Sequence, residues 1–253
     1  MFKQLHKGEK PLIICNVWDA SSAQVAEKNG FKAIGTSSAA IAHMFGKADG
    51  EQIEFEQLLS LVQLISNASD LPLTVDIESG YGETPQVIAN NILQLSEVGV
   101  VGINIEDSVV VDGLRRLCDE HEFAEKLKAV KVLLDQKAVE MFINVRSDTY
   151  LLNLANPLQA SLERIAIYQR AGADGIFLPC INQTTDIEKV VAASQLPINV
   201  MCVAGLPDFA TLQQLGVKRI SMGNFIHQAM LASLSSILST VVEEKSFDHL
   251  FGS

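Results

Sequence analysis

A junction that recurs four times limits what this chain can fold into. Gly30 opens G-F-K-A-I, Gly99 opens G-V-V-G-I, Gly172 opens G-A-D-G-I and Gly216 opens G-V-K-R-I. Each glycine follows an amphipathic stretch, precedes a short apolar run and has isoleucine four residues on. Glycine just past a helix is the usual stop, and a short apolar run behind it reads as a strand. A second junction alternates with the first: P-L-I-I at Pro11, L-P-L-T at Leu71 and L-P-I-N at Leu196, where proline ends one element and opens a strand. With M-F-I-N-V from Met141, these predict eight strands: Leu12–Asn16, Lys32–Thr36, Leu73–Ile77, Val101–Ile105, Met141–Val145, Gly175–Leu178, Ile198–Cys202 and Arg219–Met222. Helical patterns lie between them, with starts marked by Thr84-Pro85, Asn156-Pro157 and Leu206-Pro207.

Strands alternating with helices make parallel βαβ units. Eight near-even units without a linker predict an α/β fold, a closed (β/α)8 TIM barrel, better than the alternative of a doubly wound open sheet. The 253 residues suit such a barrel as one domain, 1–253, with 224–253 forming a C-terminal helix and tail. That helix is greasier than a surface helix needs, through Phe225, Ile226, Ala229, Met230, Leu234, Ile237, Leu238 and Val241, so part of it is expected to contact another subunit.

Net charge bears on partners. At −11, with no run of Lys or Arg, the chain is a poor partner for nucleic acid or an anionic membrane. No apolar run is expected to reach the roughly 18 residues of a membrane span, and Met1 to Lys10 is too polar for a signal peptide. Cys15, Cys118, Cys180 and Cys202 are widely spaced, with no C-x-x-C. Cys15, Cys180 and Cys202 fall in or at the ends of apolar strands, so buried, reduced thiols of a cytoplasmic protein are expected.

In a barrel of this type, functional groups gather at the carboxyl ends of the strands. The third strand ends Asp76-Ile77-Glu78, the fourth Asn104-Ile105-Glu106-Asp107, the fifth Asn144-Val145-Arg146-Ser147-Asp148. Alternate residues of a strand point to opposite faces. The β-branched parity then faces the helices, and Asp76, Glu78, Glu106, Asn144 and Arg146 face one space. Neighbouring carboxylates repel one another and resist burial unless positive charge lies between them, and a divalent cation meets that need directly. Long loops at Ser37–Glu51, Ser108–His121 and Ser147–Asn156 have the length of lids or binding loops. Asp19 is read as a helix cap, Asp107 as an orienting group and Asp148 as a partner that fixes Arg146. Tyr81 either donates into the site or covers the turn. His43, Arg115 and Arg116 are read as solvated, with a lid closing on an anion as the alternative for the arginines.

The motifs N-V-W-D-A-S-S-A from Asn16, G-T-S-S-A from Gly35, A-D-G-E from Ala48, V-D-I-E-S-G-Y-G from Val75, G-I-N-I-E-D-S from Gly102 and N-V-R-S-D from Asn144 carry a resemblance. Over nearly its whole length the chain resembles the isocitrate lyase / phosphoenolpyruvate mutase superfamily, in particular its short phosphonomutase-like members. The resemblance implies a barrel with Mg2+ at the strand ends that makes or breaks C–C or C–P bonds beside a 2-oxo acid, through an enolate. It implies Asp76 as direct metal ligand, with Glu78, Glu106 and Asp49 holding the ion directly or through water. Ser37, Ser38 and Ala39 would bind the substrate carboxylate and Arg146 would clamp its anionic end; apart from the resemblance, Trp18 follows the first strand at the active end and is read as a wall of the substrate pocket. Asp49, Glu106 and Arg146 would be the catalytic groups.

Two loops depart from the relatives. Isocitrate and methylisocitrate lyases carry K-[KR]-C-G-H after the fourth strand, whereas this chain reads R-R-L-C-D-E-H, and acids beside Cys118 favour its protonated thiol. The mutases and phosphonopyruvate hydrolases carry an Asn in that loop and a His ending the sixth strand, where this chain has Val110, Asp112, Leu114 and Leu178-Pro179-Cys180. The expectation is therefore a Mg2+-dependent enzyme cleaving a C–C bond in a small 2-oxo or 2-hydroxy dicarboxylate, working as a homodimer or homotetramer. A C–P mutase or hydrolase and a non-catalytic metabolite binder are the alternatives.

Overall fold

The computed structural model describes residues 2–251. Ten strands form: β1 Leu12–Val17, β2 Ile34–Thr36, β3 Leu73–Asp76, β4 Val100–Glu106, β5 Ser108–Val111, β6 Leu114–Leu117, β7 Phe142–Arg146, β8 Gly175–Leu178, β9 Ile198–Met201 and β10 Arg219–Ser221. All but β5 and β6 close into one parallel barrel in the order β1-β10-β9-β8-β7-β4-β3-β2. The eight predicted strands are these eight, with ends shifted by at most two residues. The four junction glycines adopt left-handed φ values of 79, 90, 100 and 86°, a region closed to most side chains, which is why each stops its helix.

The helices are α1 Ala20–Lys28, α2 Ser38–Met44, α3 Phe55–Ala68, α4 Pro85–Glu97, α5 Glu120–Gln136, α6 Pro157–Ala171, α7 Thr184–Ala193, α8 Phe209–Gln214 and α9 Phe225–Glu244. Pro85 and Pro157 open α4 and α6 as expected, and the Asp19 side chain caps α1 by accepting from the Ser22 N–H. The predicted start at Leu206-Pro207 is corrected. Asp208 caps α8 by accepting from the Thr211 N–H at 2.8 Å, which leaves Pro207 outside the helix.

Strand alternation sorts two cores. Val75, Ile103, Ile105, Ile143 and Val145 are buried in the cluster that includes the helices' Ile88, Ile92, Leu127 and Ile165. The opposite parity fills the barrel with polar groups. Asn144 donates to Asn104 Oδ1 at 2.9 Å and Asn199 Oδ1 at 3.1 Å, and Arg219 donates to Thr74 Oγ1 and Asn104 Oδ1, both at 3.3 Å. Beneath them Phe2, Leu12, Ile14, Ala33 and Phe142 plug the amino end of the barrel, with the His6 ring stacked on Phe142 at 4.4 Å.

Three further expectations change. The segment after β4 is an antiparallel hairpin, β5–β6, that pairs with no barrel strand. The four cysteines are free, but Cys202 is exposed and the others are half-buried: Cys15 lies within β1 on a groove between α1 and α9, and the other three lie beyond strand ends. Finally, α9 is long and apolar enough to cross a membrane by length and composition alone, with mean hydropathy 1.5, and only His227 within it is buried. The serines spaced among its apolar residues had concealed that run.

Candidate active site

Strand register brings the acids together. Asp76 pairs across the ladder with Asn104, and Glu106 pairs with Arg146, so β3, β4 and β7 deliver their ends to one place. The Thr36 hydroxyl accepts from the Asp76 N–H at 2.8 Å. The Asp76 carboxylate accepts from the Glu78 N–H at 3.1 Å and the Ser38 hydroxyl at 3.3 Å. Ser38 sits in the first turn of α2, a short helix in the segment expected to be loop. Ser37 is its cap, with Oγ accepting from the Ala40 N–H at 3.3 Å. Ala39 is half-buried in the same turn, where helix N–H groups have no partner within the helix.

Glu78 arrives differently from the strand reading. β3 ends at Asp76, and Glu78 lies in a left-handed turn at φ 49°. Its carboxylate accepts from the Glu51 N–H at 2.7 Å and from the Tyr81 hydroxyl at 3.2 Å, which places Tyr81 as a donor into the site. Burial, then the charges of Asp49, Asp76 and Glu106, push the Glu78 carboxyl up to about 8. Burial also raises Asp76, against the pull of Arg146.

Arg146 is buried among carboxylates. It donates through Nε to Asp148 Oδ1 at 2.6 Å and through Nη2 to Asp148 Oδ2 at 3.2 Å. Its Nη1 lies 3.0 Å from Glu106 Oε2 and 3.9 Å from Asp76 Oδ2. Asp148 thus fixes the Arg146 fork, as expected, and Nη1 is the arm turned toward the acids. Asp107, fully buried, accepts from Ser147 Oγ, the Asp148 N–H, Arg164 and Tyr168 at 2.7–3.0 Å. It holds the two adjoining strand ends together and has the orienting place read for it.

Arg115 corrects the sequence reading. It is not solvated. Carried on β6, it pairs with Glu106, with Asp49 at 2.8 Å and with Asp148 at 3.4 Å. Ser108 and Glu51 were also missed: Ser108 donates to Asp148 Oδ2 at 2.6 Å, and Glu51 accepts from Ser79 Oγ at 2.7 Å and the Tyr81 N–H at 2.9 Å. Asn144, expected in the site, lies one layer deeper because it precedes Arg146 by two residues on β7. Trp18 packs edge-on against His227 at 4.8 Å and lines an apolar groove between α1 and α9, with no hydrogen bond to the carboxylates. His43 is exposed in α2. The Cys118 thiol is held protonated chiefly by burial.

The phosphoenolpyruvate phosphomutase family pattern matches residues 2–242. The chain belongs to this family. An uncharacterized protein of Mycobacterium tuberculosis is 34% identical over 91% of this chain and 84% of its own length. A Burkholderia cenocepacia structure provisionally named a phosphonomutase is 38% identical, with TM-score 0.88, and covers 94% of this chain and 97% of that one. An oxaloacetate decarboxylase of Bradyrhizobium is 26% identical over 92% of this chain and 80% of its own length. The family's chemistry is that of lyases and mutases. This membership agrees with the resemblance read from the motifs, five of which run from β2 to β7 along the wall that bears the acids.

Among the described residues no three His, Cys, Asp or Glu stand preassembled around one metal position. The donor set still suits Mg2+, which keeps several waters and takes one or two carboxylates directly. Asp49 Oδ1 and Glu106 Oε2 are buried without a hydrogen-bond partner, although Glu106 Oε2 faces the Arg146 charge. A cavity of about 190 Å3 beside them is lined by Glu51, Glu78, Glu106, Ser79 and Val110.

Proposed function

We propose that this chain is a Mg2+-dependent enzyme that cleaves the C–C bond beside the carbonyl of a small 2-oxo or 2-hydroxy dicarboxylate through an enolate. The reading is carried by the convergence of Asp76, Glu78, Glu106 and Asp49 with the Arg146 arm at the carboxyl end of the barrel. Asp76 is proposed as the direct ligand, with Glu78, Glu106 and Asp49 holding the ion's waters. Mg2+ bound there would supply positive charge opposite the oxyanion that develops on the keto oxygen. Ser38 and the first N–H groups of α2 would receive the substrate carboxylate, with Ser37 shaping that turn. Arg146 Nη1 would orient the far anionic group. Asp49 and Glu106 would manage protons at the reacting carbon. We keep Trp18 as a wall on the α1 side.

The test is a panel of 2-oxo and 2-hydroxy acids, oxaloacetate first, assayed with and without Mg2+. Turnover is expected with a dicarboxylate only when Mg2+ is present, lost in Asp76→Ala and Arg146→Ala. Oxalate, an enolate mimic, should raise the melting temperature only with Mg2+; no shift sinks the reading. The provisional phosphonomutase name of the 38%-identical relative favours a second reading, C–P chemistry. Phosphorus NMR with phosphonopyruvate separates the two. If no substrate turns over, while metabolites still bind, the chain is a binding member of the family.

We further propose that the protein works as a dimer or tetramer through α9. Phe225, Ile226, Met230, Leu234, Ile237 and Leu238 on this helix are exposed, a length of apolar surface that isolated chains rarely leave bare. Light scattering behind a sizing column should give a multiple of 27.5 kDa, and Leu234→Glu should lower it.

A further inference from the structure

The β5–β6 hairpin is built to depend on something outside itself. It is a two-stranded ribbon that joins no other sheet, and such ribbons are marginal alone. Its turn, Asp112-Gly113, has positive φ at both residues, 52° and 74°, the tight hairpin type. Its tip residues Val111 and Leu114 are exposed, so apolar burial at the tip does not hold it down. Its base is held instead. Val110 packs against Gly50 so closely that a Cβ there would lie 2.8 Å away. Next to Val110 on the ladder is Arg115, whose guanidinium reaches Glu106 and Asp49.

Asp49 Oδ1 is buried without a hydrogen-bond partner, and Glu106 Oε2 meets only the Arg146 charge, at 3.0 Å. Both residues are also among the four acids read above as holding the metal. Arg115 therefore supplies positive charge at the position where a divalent cation would supply it. A guanidinium and a dication do not share one carboxylate pair comfortably, since like charges in a poorly solvated pocket repel strongly. Arg146 differs: Asp148 anchors two of its nitrogens from within the barrel wall, whereas Arg115 rides on a ribbon that pairs with no barrel strand and meets Asp148 through one nitrogen at 3.4 Å.

We propose that Arg115 is a built-in counter-ion that a divalent cation displaces: guanidinium and cation hold the Asp49 and Glu106 carboxylates in turn, and the exchange releases the β5–β6 hairpin from the mouth of the barrel. The proposal rests on the reading that the site takes a divalent cation. It adds that the lid and the cation are linked, so that loading the ion opens the route for an anionic substrate.

The test uses the full chain and Mg2+ itself. Isothermal titration at one pH compares the wild type with Arg115→Gln and Arg115→Lys, each checked by its melting curve. Arg115→Gln is expected to bind Mg2+ at least about tenfold more tightly than the wild type, within the range typical of coupled sites, and Arg115→Lys to fall between. Amide hydrogen exchange over residues 108–117 of the wild type is expected to quicken at saturating Mg2+. Equal or weaker Mg2+ binding by Arg115→Gln overturns the exchange, as does unchanged or increased hairpin protection in the wild type. If neither wild type nor variant binds Mg2+ at millimolar concentration, the metal reading itself fails. If Arg115→Gln does not fold, the exchange measurement on the wild type decides alone.

Discussion

Arg146 lies at the mouth of the barrel and Arg219 deep within it, and both guanidinium groups are buried. Around Arg146 stand Asp148, Glu106 and Asp76. Burial alone would lower its pKa, but those carboxylates outweigh it and the pKa rises well above the ordinary value. Arg219 touches only Thr74 and Asn104 through Nη2, and its Nε and Nη1 have no partner among the described residues. Burial lowers its pKa to about 10, with Asp76 as the one charge pulling it back. The difference separates two uses of one side chain. At the mouth, charge is balanced by carboxylates; at the floor, it is held by packing, the Thr74 hydroxyl and the Asn104 amide.

The sharpest way to break this comparison is to replace each arginine by methionine. Arg146→Met strands buried carboxylates and should cost about 3–5 kcal/mol of metal-free stability by urea unfolding, together with activity. Asp107→Asn should follow at about 2–4 kcal/mol, because the buried Arg164 charge loses the more buried of its two carboxylates and Tyr168 and Ser147 lose a strong acceptor. Mg2+ should offset part of the first loss and little of the second.

His6, at the floor, gives the pH arm. Burial, and then the Arg219 charge, lower its pKa to about 4. The unfolded chain takes up this proton near the ordinary value of about 6.5, and the native protein only near 4. Stability is therefore expected to fall as pH drops from 6.5 toward 4, by about 3 kcal/mol, and then to level for this group. Chemical denaturation at a series of pH values should show that slope, and His6→Phe should flatten it. The smallest effect is reserved for Arg219→Met, within about 1 kcal/mol of the wild type, since it removes an unpaired buried charge and leaves none behind. A loss as large as that of Arg146→Met would mean that the floor is also held by charge.

The barrel was legible because its signals are local. Each glycine stop and each apolar run reports on the few residues around it, and the parity of Asp76, Glu106 and Arg146 follows from strand geometry alone. The hairpin was legible too and was passed over: Val109-Val110-Val111 before Asp112-Gly113 is a strong turn signal between short strands. Arg115 was not legible. Its partners Asp49 and Asp148 lie 66 and 33 residues away, and no local pattern distinguishes it from the solvated Arg116 beside it. Glu78 does reach the other acids, but the turn at Glu78, not strand parity, directs its carboxylate there.

Glycines inside the barrel strands carry one more consequence. A Cβ at Gly35 would lie 2.9 Å from Thr74 Oγ1, one at Gly175 2.8 Å from Asn144 Oδ1, and one at Gly102 3.1 Å from the Phe142 carbonyl. The interior has no spare volume, so a change at any one of its positions must be answered by several others at once. New substrate preferences cannot readily arise there. Variation is channelled to the rim, into the exposed positions of residues 47–51 and 108–117, such as Lys47, Val111, Asp112, Leu114 and Arg116. Selection for a different acid should collect its substitutions in those two segments and leave the barrel strands untouched.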